Sequence, residues 1–145
     1  MFLDRMSSSI IQMPHKLARK WLDTPFKHQG RNERGIDCAG LVIMVAKDMG
    51  IVDEQFDRAD YPRRSPHSSA FAKYFDEHLI RAKRKPIVDD VIILKEPIFP
   101  CHCGIVGERD GQLTIIHSYA PRKKVVEEFL LHFEDKIMGV YEWPN

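Results

Sequence analysis

Three residues in this chain have the types and spacing for covalent catalysis: Cys38 in "GIDCAGLVIMV", and His102 and His117 in "CHCGIVGERDGQLTIIHSY". A thiol acts as a nucleophile in its thiolate form, and its pKa falls at a helix N-terminus or beside a cation. Asp37 is a favoured N-cap type, which puts Cys38 at the first helical position, where unpaired N–H groups and the helix dipole favour the anion. The charge of Asp37 opposes that effect, so a histidine partner is needed to activate the sulfur. Without one, Cys38 is a small residue packed in a core.

The two histidines can be brought together by a hairpin. Asp110-Gly111 is a preferred central pair for a two-residue type I′ turn and is flanked by β-branched runs. With that turn Arg109 pairs with Gln112, Gly104 faces His117 and Tyr119 faces His102. All four of these inner residues then lie on one face, with His102 and His117 as diagonal neighbours and room between them at Gly104. A three-residue loop would change the parity and put the histidines on opposite faces. On one face, one imidazole can act as base toward a thiol while the other fixes its orientation and tautomer.

The "CHC" stretch also invites a zinc reading. Strand alternation turns Cys101 and Cys103 away from His102, and no C-x-x-C or H-x-x-x-H pair supplies ligand spacing, so both cysteines read as packing residues and no metal is expected. His28, in the loop before Cys38, is either a further cleft residue or an isolated loop histidine. His15, His67, His78 and His132 sit in polar surroundings and are assigned no role.

The elements that must position these groups follow from pattern. "SSSIIQMPHKLARKWLD" reads as an amphipathic helix with serine caps, Ile11, Leu17 and Trp21 on its apolar side, and Pro14 near its first turn. "TPFKHQGRNERG" is a polar loop leading to Asp37. Residues 38–49 are apolar apart from Lys47 and Asp48 and end at Gly50, the pattern of a buried helix. After a polar loop over residues 51–66, "SSAFAKYFDEHLIR" places Phe71, Phe75 and Leu79 at four-residue spacing on a second amphipathic helix. Five strands are expected, in "PIVDDVIILKE", "CHCGIVGE", "QLTIIHSY", "KVVEEFL" and "IMGVYEW". Helices first and strands second is an α+β order, with the antiparallel sheet packed against the helices.

With 145 residues the chain is read as one domain, residues 1–145. A formal net charge of +1 with 30% charged residues gives no reason to expect nucleic acid, and "RKK" and "RAKRK" read as solvated. Three cysteines leave at least one unpaired, against a disulfide framework and in favour of a reduced or working thiol. The N-terminus lacks a basic leader with an apolar stretch and cleavage site, and no segment is long enough to span a bilayer. Synthesis in the cytoplasm is expected, and any site of action outside would have to be reached by another route.

In order and spacing, "GIDCAGLV", "VDDVIILKE", "HCGIVG" and "LTIIHSYA" resemble the NlpC family of papain-like cysteine peptidases, which cut the stem and cross-bridge peptides of bacterial peptidoglycan. The similarity runs from about Leu17 to Pro144. It is greatest to the phage-associated cell-wall peptidases, which share "W-x-x-TPF-x-HQ", here Trp21 to Gln29, and a closing strand like "VVEEFL…IMGVYEWP". The resemblance implies a papain-like α+β fold with Cys38 as nucleophile, His102 as general base and acid, and His117 as the polar third member. It also implies that the Cys38 N–H helps hold the oxyanion, and that Asp37, Phe26 and His28 lie on the substrate side. Ala39 stands where relatives often have serine, and Phe26 where many have tyrosine. The implied reaction is hydrolysis of the γ-D-glutamyl bond to a diamino acid in a peptidoglycan stem peptide, without metal or organic cofactor and with phage tail proteins as partners. Two rivals remain at this point: a catalytically silent tail, assembly or glycan-binding module, and an amidase or acyltransferase using the same Cys-His-His set.

Overall fold

The computed structural model describes residues 13–57, 69–95 and 102–144. Ser7, Ser8, Ser9, Ile11, Cys101 and the second half of the 51–66 loop lie outside them. Helix α1 spans Pro14–Arg19, with proline at its first position, where the missing N–H and fixed φ cost nothing. It is shorter than its apolar pattern suggests. Residues 20–23 form a turn ending in Asp23 at φ 72°, and the Asp23 N–H then donates to Val125 O while Val125 N–H donates to Thr24 O. Pairing with a distant strand takes the backbone out of the helix, and Trp21 packs on the core from the turn. Arg19 anchors α1 through two bonds to Glu127, at 2.9 and 2.8 Å, and that carboxylate also accepts from Thr114 Oγ1 at 2.7 Å.

A short two-stranded ribbon follows, β1 Arg31–Asn32 and β2 Gly35–Ile36, inside the loop that the sequence pattern left irregular. Helix α2, Cys38–Asp48, is buried over most of its surface, as its nearly continuous apolar sequence requires. It ends in a Schellman motif: Gly50 at φ 72° lets its own N–H reach Lys47 O and that of Ile51 reach Ala46 O. Helix α3 covers Ser69–His78. The expected continuation through Arg81 is not helical; Ile80–Ala82 is strand β3, paired antiparallel with the last strand from Ile80 opposite Glu142 to Ala82 opposite Val140. Helical spacing ran on through Leu79, but the open edge of that last strand offers a ladder that wins at Ile80.

The remaining strands are β4 Val91–Leu94, β5 His102–Arg109, β6 Gln112–Tyr119, β7 Lys124–Phe129 and β8 Ile137–Glu142, one for each expected run. Together with β3 they form a six-stranded antiparallel sheet in the order β3-β8-β4-β5-β6-β7. Alternate side chains feed two cores. Val91, Ile93, Cys103, Ile105, Ile116 and Tyr141 face the helices, with α2 lying across β5 and β6. Ile92, Leu94, Val106, Ile115 and Val140 face the other way and are covered by Leu130 and Phe133 from a 3-10 segment, Leu130–Lys136. The architecture is the expected α+β arrangement, with that second core as an addition.

The β5–β6 hairpin has the two-residue turn. Arg109 pairs with Gln112, Ile105 with Ile116, and Asp110 and Gly111 adopt φ 55° and 77°, the paired left-handed residues of type I′. Gly111→Ala is expected to lower the unfolding free energy by about 1 kcal/mol, read from the urea midpoint at constant m value. The cost is backbone strain alone, since no atom lies within 4 Å of the added Cβ.

Candidate active site

The segment before Cys38 is fastened at several points. Phe26 N–H donates to Lys123 O at 2.9 Å, Lys27 N–H to Ile36 O at 3.1 Å, Ile36 N–H to Pro25 O at 2.9 Å, and the buried hydroxyl of Ser118 donates to Ile36 O at 2.6 Å. These bonds deliver Asp37 to one place. Asp37 is 2% exposed, and its carboxylate accepts from Gly40 N–H at 2.8 Å, Arg31 Nη1 at 2.9 Å and Gln29 N–H at 2.7 Å. The first of these is the N-cap bond that fixes Cys38 as the first residue of α2. Gly40 is required by the same packing, because a Cβ there would lie 2.5 Å from Gly30 O.

Cys38 is 7% exposed, and Cys103 and His102 at the start of β5 both act on its thiol. Cys103 lies on the helix-facing side of β5, in the core with Cys38, and His102 opens the same strand. The Cys38 pKa is lowered to about 6, first by the Cys103 hydrogen bond; burial opposes this, the His102 bond and charge add to it, and Asp37 works against it. Cys103 is therefore more than the packing residue its pattern suggested. Parity did put it opposite His102, but only the seating of α2 on the sheet brings it under Cys38.

His102 and His117 are joined by a hydrogen bond of 2.7 Å between His102 Nε2 and His117 Nδ1, with ring centroids 4.9 Å apart. Since Nε2 is taken, Nδ1 is the nitrogen that His102 has left for the thiol. Gly104 makes the approach possible; a Cβ there would sit 3.1 Å from His117 Cβ and 2.7 Å from Ile115 Cγ1. Tyr119 stacks on His117 at 4.6 Å and lies 5.1 Å from His102, while Phe133 meets His117 edge-on at 5.2 Å. Burial pushes both imidazoles below the ordinary histidine value, against the opposing pull of Cys38 on His102 and of Glu128 on His117. Contact favours the thiolate and imidazolium forms, whereas burial favours neutral ones; the sulfur ends on the acidic side of its usual range because Cys103 assists it.

Sequence pattern gave no role to Glu128. Its Oε1 is 3.8 Å from His117 Nε2, too far for a hydrogen bond, and accepts from Arg122 Nε at 3.1 Å. The His117 ring and the Arg122 guanidinium hold this carboxyl down, to about 2, against partial burial. The signal was available only through the β6–β7 register, in which Glu128 pairs with Ile115 and so stands diagonal to His117 on the same face. The two histidines are thus hydrogen-bonded to each other, and His102 is the ring that acts on Cys38. Phe26 and His28 are half-buried on the fastened loop that leads into Asp37.

The sequence matches no known family profile and no curated protein. Solved structures do share the fold. The NlpC/p60 domain of the peptidoglycan hydrolase SagA superposes with a TM-score of 0.56 at 16% identity, over 90% of this chain and 96% of that one. An N-acetylmuramoyl-L-alanine amidase from Bacteroides uniformis ATCC 8492 gives 0.56 at 17% identity, over 92% and 98%. The chain therefore has the papain-like α+β fold of NlpC/p60 domains.

A thiol with a pKa of about 6 is mostly thiolate at pH 7, so the rate of Cys38 alkylation by iodoacetamide is expected to rise through about 6 and level off by neutrality. Peptide mapping should find Cys38 labelled well ahead of Cys103. An unactivated thiol, with a pKa of about 8.5, would leave the rate still climbing at pH 8, which would remove the case for an activated sulfur.

Proposed function

We propose that this chain is an NlpC-type cysteine peptidase that hydrolyses a peptide bond in the stem of bacterial peptidoglycan through an acyl-enzyme on Cys38. The observation that carries this reading is the hydrogen-bonded pair His102 and His117, with His102 acting on Cys38 at the start of a buried helix, on a fold shared with a peptidoglycan hydrolase domain. His102 takes the Cys38 proton as Sγ attacks the scissile carbonyl carbon, forming the C–S bond and moving the carbonyl π electrons onto oxygen. That oxyanion lies at the N-terminus of α2, where the Cys38 N–H donates to it. Collapse of the intermediate expels the amine, which takes its proton from His102. Water, giving its own proton to His102, then attacks the thioester; the C–S bond breaks, the acid leaves, and His102 returns that proton to the sulfur.

In this reading His117 keeps the His102 ring aimed at the sulfur. Asp37 works mainly by placing Cys38, since its buried carboxylate already holds three donors. Recognition of the stem peptide falls to the loop carrying Phe26 and His28. Phe26 offers a ring without a hydroxyl, so stacking rather than hydrogen bonding describes its contribution. The bond cut is that between γ-D-glutamate and a diamino acid. A second reading, cleavage of the amide that joins the stem to its sugar, uses the same three residues and is favoured by the shared fold of the Bacteroides uniformis amidase.

Mass spectrometry of digests distinguishes them. Purified peptidoglycan and free tripeptide or tetrapeptide stems are incubated with the wild type and with Cys38→Ala. Cleavage at the γ-D-glutamyl bond is expected, slowed in the variant by about 10⁴-fold or more. Release of the intact stem from the sugar would favour the amidase reading. Absence of any cleavage, or equal cleavage by the variant, would rule out both.

A further inference from the structure

We infer that Glu128, held in place by Arg122, is a positioning residue that fixes which nitrogen of His117 carries its proton and thereby turns the basic nitrogen of His102 toward Cys38. The inference rests on the peptidase reading for its catalytic meaning, and on geometry for the proton assignment. His117 is 0% exposed, its Nδ1 is bonded to His102, and its Nε2 is buried with no hydrogen-bond partner among the described residues. A nitrogen in that position is stabilised only by what faces it across a short gap, and what faces it is Glu128 Oε1 at 3.8 Å.

A neutral imidazole carries one proton, so His117 has two choices. With the proton on Nε2, the N–H dipole points at a carboxylate; with the proton on Nδ1, an Nε2 lone pair points at it. The first is attractive and the second repulsive at a distance where water is excluded. The choice propagates. If Nε2 of His117 is protonated, its Nδ1 can only accept, so His102 must donate from Nε2 across the 2.7 Å bond. A neutral His102 protonated on Nε2 has its lone pair on Nδ1, the nitrogen left for the thiol. The opposite choice would give His102 a lone pair on the wrong side and an N–H facing Cys38, and the ring could not take a proton from the sulfur.

The other groups around His117 do not set this polarity. His102 on β5 is itself the group being set, Tyr119 on β6 and Phe133 from the Leu130–Lys136 segment present ring faces and edges, and Arg122 beyond Glu128 is positive. Among the described residues, Glu128 on β7 is the anion facing His117. Arg122 pins it through Nε at 3.1 Å, and the lowered pKa of Glu128 reflects first the His117 ring and then Arg122.

Histidine tautomers have distinct ¹⁵N and ¹³C signatures, so the test is NMR of selectively labelled protein alongside kinetics. In the wild type, His117 is expected with its proton on Nε2. Glu128→Gln should mix or reverse the tautomer, lower kcat by about tenfold or more with KM for the stem peptide unchanged, and raise the pH at which Cys38 alkylation reaches half its limit. Glu128→Asp, which keeps the charge, should retain the wild-type tautomer and recover part of the rate. A wild-type His117 protonated on Nδ1 would overturn the inference without any variant, and so would a Glu128→Gln protein with unchanged tautomer and unchanged alkylation profile. The two proposals fail separately: an inert protein with the expected tautomer sinks the peptidase reading alone, whereas an active protein with the opposite tautomer sinks the role of Glu128.

Discussion

The carboxylate of Asp37 is the constraint on which the site depends. Buried charge is tolerated only where donors replace the lost water, and Asp37 has a backbone N–H from the helix it caps, another from the preceding loop, and a guanidinium. Each donor ties down a different piece of chain. Gly40 fixes the first turn of α2, Gln29 fixes the loop, and Arg31 carries the link onward to Gly30 O and to Asp57. The sulfur of Cys38 sits one residue from that knot, so its position relative to the sheet is set by bonds that cost the thiol none of its own freedom to react. A cap that only ended a helix could be replaced by serine or asparagine; this one also neutralises Arg31, and those residues could not.

The second constraint is parity. A two-residue turn at Asp110-Gly111 decides that His102 and His117 share a face, and a single glycine decides that they can touch. Both are local in the chain, which is why they can be read from it: the turn residues specify φ, the alternation specifies the face, and Gly104 leaves the gap. The cap at Asp37, the stop at Gly50 and the five expected strands are legible for the same reason, since each depends on residues within a few positions of one another. Resemblance to a family supplied the pairing of Cys38 with His102, which no local pattern contains.

What could not be read depends on contacts between distant segments. The end of α3 at His78 is decided by the open edge of β8, more than fifty residues later, where Ile80 to Ala82 pair. The early end of α1 is decided by Val125. Cys103 looked like packing because its own strand says only that it faces the helices; its influence on Cys38 depends on the lateral position of α2 on the sheet. Glu128 is hidden for a related reason. It lies in a run, "KVVEEFL", whose two glutamates look alike in sequence, yet Glu127 faces Arg19 and Thr114 on the helix side while Glu128 faces His117 on the other. One residue of register separates a structural ion pair from a group beside the rings.

The same strand also explains why two histidines can be buried next to each other without repelling. Two imidazolium ions 2.7 Å apart would be untenable, and burial keeps both rings on the neutral side. Neutral rings in series have a direction, because each donates from one nitrogen and accepts at the other. Some charge outside the series must choose that direction, or the two senses would be nearly degenerate and the ring beside the thiol would present its basic nitrogen only part of the time. At the outer end stands Arg122, which stays protonated at any pH the protein meets, and between it and the rings stands Glu128. An always-positive group at the surface thus orients a carboxylate, the carboxylate orients one ring, and that ring orients the next, so the polarity of a buried relay is set from solvent without placing a charge inside it.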